Sequence, residues 1–157
     1  MIKKIGLYNF NSDIQLSNYF SNKEVTFENI ENLSNIGNFD LILTHDCIEK
    51  IKDNIINIHP SLLPAYSNKN AISEAFNDGV KVSGITIHSK DKIIAQYPIL
   101  IGVETHIDDF INEINKIEQI LLPAVIDSII NDRVFDFKDL FSTSCQHGGC
   151  SNCKGCH

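Results

Sequence analysis

Residues 54–76 read NIINIHPSLLPAYSNKNAISEAF, and three kinds of segment follow one another within them. Ile55 to His59 is a short, mostly apolar run of the sort buried on both faces of a parallel sheet. Pro60 removes a backbone donor and ends the strand, and Pro-Ser-Leu-Leu-Pro makes a turn. "NAISEAFNDG" (70–79) then reads as a short helix, closed where Gly79 accepts a left-handed conformation.

Outward from this unit the same alternation repeats. "FDLILTH" (39–45) is a second apolar strand, and "VKVSGITIHS" and "KIIAQYPILI" form two strands around Lys90-Asp91, short enough for a hairpin. "IKKIGLYNF" (2–10) reads as a first strand rather than a signal peptide, and "SDIQLSNYF" follows as a helix with Ser12 as N-cap. "KEVTFENI" is a further short strand. Apolar residues at 107, 110, 111, 114, 117, 121, 125 and 129 have the spacing of a long amphipathic helix. Thr105 with Asp108 resembles a capping box for it, and Pro123 is expected to kink or divide it. Together these elements predict one α/β domain over 1–140, an open, mostly parallel Rossmann-like sheet with helices on both faces. Such sheets bind ligands at the carboxyl ends of their strands, where Asn57 and His59 fall.

Composition narrows the function. The net charge is −7, from 13 Lys+Arg against 20 Asp+Glu, and no basic cluster stands out, which argues against nucleic acid and anionic membranes. No run approaches the roughly 20 apolar residues of a membrane span, so a cytoplasmic protein is expected. Four of the 5 cysteines crowd into residues 141–157, a Cys/His-rich C-terminal tail with no apolar pattern. Cys145, Cys150, Cys153 and Cys156, with His147 and His157, exceed the four ligands that zinc requires, and the Cys-x4-Cys-x2-Cys spacing also suits an iron–sulfur cluster.

Residues two apart in a strand point to one face, so Asn57 and His59 converge. An amide donor beside a titratable ring suits acyl chemistry: one stabilises a developing oxyanion, and the other moves a proton. The stretch "INIHPSLLPAY" resembles the signature of the folate-dependent formyltransferases, most closely the phosphoribosylglycinamide formyltransferases. The likeness runs on through "NDGVKVSGITIH", "IIAQYPI" and "LLPAVI", and so covers about residues 39–131. It implies transfer of a formyl group from 10-formyltetrahydrofolate to a small-molecule amine such as glycinamide ribonucleotide. In those terms Asn57 holds the formyl oxygen and His59 stabilises the oxyanion. His88 lines the site wall, and Ser61 belongs to the motif turn.

The chain also departs from that pattern. The family's Leu-Asp-x-Gly-Pro loop, which carries its catalytic aspartate, is missing; "SKDK" stands there, and Asp91 is the sole replacement. The Gly-rich phosphate loop is missing as well, leaving Asn11 and Ser12 as donors. "DCIEKIKDN" replaces a hydrophobic folate segment, and the N-terminal half is shortened by a strand and a helix. The alternative is therefore a catalytically degenerate formyltransferase-fold protein whose tail binds metal.

Overall fold

A computed structural model describes residues 2–10, 16–45, 54–90, 92–138 and 140. The element order is β1 (Lys4–Tyr8), α1 (Leu16–Tyr19), β2 (Thr26–Ile30), a 3-10 helix (Leu33–Asn38), β3 (Leu41–Thr44), β4 (Ile55–His59), α2 (Ala71–Asn77), β5 (Val82–Ser89), β6 (Lys92–Leu100) and α3 (Ile107–Ile130). The strands form one six-stranded sheet in the order β2-β1-β3-β4-β5-β6. Pairing is parallel from β2 through β4, and β5 and β6 join antiparallel as the expected hairpin.

Period-two alternation divides the sheet's side chains between two cores. Leu41, Leu43, Ile56, Ile58, Ile85 and Ile87 face Phe110, Ile114, Leu121, Leu122 and Val125 of α3, and Leu16 and Phe20 extend the same cluster beneath β1. The opposite face holds a smaller cluster, Ile30, Ile42 and Ile55, packed with Tyr8, Ile36 and Phe39 around the 3-10 helix. Among the described residues, the element on this face is that short helix.

Two sequence expectations about α3 are corrected. Its N-cap is His106, whose N–H donates to the Asp109 carboxylate at 3.4 Å, while the Thr105 hydroxyl accepts from Gly102 N–H at 3.0 Å in the preceding turn. The capping box therefore lies one residue later than Thr105–Asp108. Pro123 also leaves α3 undivided. It costs one backbone hydrogen bond, but Leu121, Leu122, Val125 and Ile126 around it are fully buried, and that packing holds the helix together. At two glycines the backbone needs what only glycine allows: Gly79 ends α2 at φ +66°, and a Cβ on Gly84 would lie 2.0 Å from the Tyr97 carbonyl oxygen across the hairpin.

Candidate active site

The turn that follows β4 is built from side-chain hydrogen bonds. The Ser61 hydroxyl donates to the Ala65 carbonyl at 2.6 Å, closing the Pro-Ser-Leu-Leu-Pro loop, in which Leu63–Pro64 is cis. Thr86 anchors this loop to the sheet. Its hydroxyl donates to the Ser61 carbonyl at 2.6 Å and accepts from Leu63 N–H at 3.0 Å and from the Gln96 amide at 2.9 Å. Gln96 also donates to the Leu63 carbonyl at 3.0 Å. The Thr-x-His stretch of β5 and the "IIAQYPI" stretch of β6 thus meet the turn they are separated from in sequence, and Thr86 and Gln96 are positioning residues that sequence reading did not single out.

Register places the candidate residues. Asn57 pairs with His88 on β5 and with Thr44 on β3, and His59 pairs with Thr86, so Asn57, His59 and His88 share a sheet face. Asn57 and His59 are each only 2% exposed. His59 Nε2 lies 2.8 Å from the Tyr66 carbonyl oxygen. A carbonyl only accepts, so Nε2 carries the proton and Nδ1 is the basic atom of the neutral ring. Burial lowers the His59 pKa, the Tyr66 carbonyl opposes that shift, and the neighbouring His88 adds to it. His88 itself is half-buried, with Nδ1 3.3 Å from the Lys90 carbonyl oxygen. The Ser61 hydroxyl is committed to the turn.

A cavity of about 280 Å³ opens at the carboxyl ends of β3 and β4, between α2 and α3. Ile58, Ile72, Ile85 and Ile114 form its apolar wall, and His45, His59, Lys69, Asn115 and Glu118 supply polar groups. His59 lines this cavity; Asn57 is not among its lining residues. Deep in it, His45 Nε2 is 2.9 Å from Glu118 Oε1, with Glu118 6% exposed, and the imidazole stacks on Phe10 at 4.7 Å between centroids. Sequence reading missed this pair because its members are 73 residues apart and meet only when β3 packs under α3. The one available signal was a carboxylate at position 118 beside the apolar stripe of α3.

The remaining candidates lie outside the described residues: Asp91, Asn11, Ser12, and the tail from Cys145 to His157 with its four cysteines, His147 and His157. Ser89, next to His88, pairs with Lys92 at the end of the described hairpin. Among the described residues, no group of three or more His, Cys, Asp or Glu gathers as a cation cage. No described helix is long and apolar enough to cross a membrane.

A mostly parallel sheet with a cavity at its strand carboxyl ends is the arrangement in which open α/β sheets hold their ligands. The formyl transferase family model matches residues 20–126, and the chain belongs to that family. It is 43% identical over 82 residues to the phosphoribosylglycinamide formyltransferase of Bacillus subtilis, a match covering 48% of this chain and 42% of that protein. It is also 27% identical over 104 residues to the formyltetrahydrofolate deformylase of Haemophilus influenzae, covering 62% of this chain and 37% of that protein. The matched stretch thus spans less than half the length of these curated relatives. In fold the chain is similar to phosphoribosylglycinamide formyltransferase from Bacillus halodurans, with a TM-score of 0.66 at 20% identity, covering 82% of this chain and 95% of that one. The formyltetrahydrofolate deformylase from Pseudomonas syringae gives 0.65 at 15% identity, covering 87% and 67%.

Proposed function

We propose that this chain transfers a formyl group from 10-formyltetrahydrofolate to a small amine of the glycinamide ribonucleotide kind. The observation that carries the reading is the cavity at the end of β4, lined by His59 and a buried carboxylate, in a chain of the formyl transferase family. The amine lone pair attacks the formyl carbon, and the carbonyl electron pair moves onto oxygen. The Asn57 amide donates to that oxygen, and His59, its Nε2–H held by the Tyr66 carbonyl, meets it from the same sheet face through Nδ1, which stabilises the negative charge when it carries a proton. His88, the cross-strand partner of Asn57, forms the wall beside them. Collapse of the intermediate expels the folate nitrogen, which takes up the proton that the attacking amine gives up, carried between them by water.

The test is a transfer assay that measures both the formylated amine and free formate. Asn57→Ala should reduce turnover at least about 100-fold, the usual effect of losing an oxyanion donor. Unchanged turnover in that variant refutes the reading. Formate as the main product, with the amine untouched, would replace the amine by water as acceptor. Absence of donor binding leaves the degenerate alternative, a formyltransferase-fold protein whose tail holds metal.

A further inference from the structure

We infer that Asp78, at the end of α2, is a positioning residue for His59: by accepting the Tyr66 hydroxyl it keeps the Tyr66 carbonyl on the Nε2–H of the ring. Its effect on turnover rests on the formyl-transfer reading above, whereas the positioning itself is a property of the folded chain.

Two requirements meet at Tyr66. Its carbonyl oxygen lies 2.8 Å from His59 Nε2 and accepts from the Ser61 hydroxyl at 3.3 Å, and its backbone sits at φ +51°. A side chain with a Cβ is disfavoured there, and tyrosine lacks the short polar group with which Asn or Asp bonds its own backbone in that conformation. Relaxation of φ would swing the carbonyl away from the ring, so contacts beyond the backbone must hold the residue. The far end of the side chain supplies one: the Tyr66 hydroxyl donates to Asp78 Oδ2 at 2.9 Å, joining the turn after β4 to a helix 12 residues on. Asp78 is fixed in its turn as the C-cap of α2. Its N–H donates to the Glu74 carbonyl at 2.9 Å, and Gly79 follows at φ +66°.

For α2 alone, Asp78 is poorly placed. A carboxylate at a helix C-terminus meets the negative end of the dipole, and Glu74 lies one turn back, at the spacing where like charges repel. The loop before α2 supplies a donor to each carboxylate: the Tyr66 hydroxyl to Asp78, and the Asn68 amide to Glu74 Oε2 at 2.7 Å. The hydrogen bond to Asp78 raises the pKa of the Tyr66 hydroxyl, which therefore remains a donor throughout the neutral range. The same loop brings Asn68 and Lys69 to the cavity wall.

The experiment measures exchange of the His59 Nε2–H with water by NMR, together with formyl transfer, in wild type, Tyr66→Phe, Asp78→Ala, Asp78→Asn and the double variant Tyr66→Phe/Asp78→Ala. In wild type the ring proton should be resolved and slow to exchange. Tyr66→Phe, which leaves α2 untouched, and Asp78→Ala should each speed that exchange about 10-fold and lower kcat by a similar factor, the scale of one lost hydrogen bond. Donor KM should change little. The double variant should be no worse than either single one, because both delete the same bond. Asp78→Asn keeps an acceptor oxygen and should restore most of the protection. Wild-type exchange in folded Tyr66→Phe and Asp78→Ala overturns the inference, even where Asp78→Ala lowers Tm, since Asp78 would then serve the helix alone. Losses that add in the double variant, or a wild-type ring proton that exchanges too fast to be seen, overturn it as well. A wild-type chain that transfers no formyl group overturns the reading of function, and ring exchange in the same variants still decides the positioning.

Discussion

At the scale of single residues, burial decides what His59 can do. Enclosed at the end of β4, with His88 nearby, its ring resists protonation, and its folded pKa lies below the ordinary histidine value of about 6.5. Above that value the ring is neutral in folded and unfolded chains alike, and its contribution to stability is intact. As pH falls beneath it, the unfolded chain takes up a proton that the folded chain refuses, so stability drops until the lowered folded pKa is reached. Urea unfolding at about pH 7.5 and pH 5.5 measures this. The wild-type chain should lose stability over that interval, and His59→Gln, weaker at both pH values, should lose distinctly less. Equal losses in the two proteins would place the proton elsewhere. The same burial explains what was readable at this scale. Asn57 and His59 declare themselves through period-two spacing before a proline, whereas the commitment of the His59 Nε2–H to Tyr66 depends on how the turn folds back, with Tyr66 at φ +51°.

At the scale of elements, the strands were legible because each is a short apolar run with its own stop signal, and the register of the β5–β6 hairpin follows from a tip only a few residues long. The ends of α3 were less so. A capping box one residue late and a proline carried through the helix are decided by packing against β5 and β6, which the pattern of α3 alone does not contain. The hydrogen bonds that fix the turn after β4 were illegible for the same reason: Thr86 is 25 residues from Ser61. Thr86→Val keeps the side-chain shape and deletes the hydroxyl, stranding the Ser61 carbonyl and the Leu63 N–H. Leaving such groups unpaired should cost about 2 kcal/mol and lower Tm by about 4–8 °C. Turnover should fall as well, since the turn carries the Tyr66 carbonyl that orients His59. A variant with wild-type Tm in calorimetry would mean that the turn is held by other contacts.

For the whole molecule, the described core extends to Leu140, which is 9% exposed and packs in the main cluster. From Ser142 onward the sequence is polar and rich in cysteine, glycine and histidine. We propose that this tail is a separate metal-binding unit: Cys145, Cys150, Cys153 and Cys156 supply thiolates, with His147 and His157 as further ligands and zinc ahead of an iron–sulfur cluster. Thiols must lose their protons to bind, so affinity should fall as pH is lowered through the cysteine range. Elemental analysis of the purified chain should find about one metal per molecule. Replacing Cys150 and Cys153 by Ser removes two thiolates, and four-coordinate zinc would then have to draw on both histidines at once, so the bound metal should drop to trace levels. On this reading the Tm of the α/β domain should stay the same, because the bonds described for the turn after β4 join Ser61, Leu63, Thr86 and Gln96. Metal retained in full by the double variant, or a wild-type chain without metal when purified with zinc present, would refute the site. A domain that melts earlier when its tail is emptied would instead make the tail part of the fold.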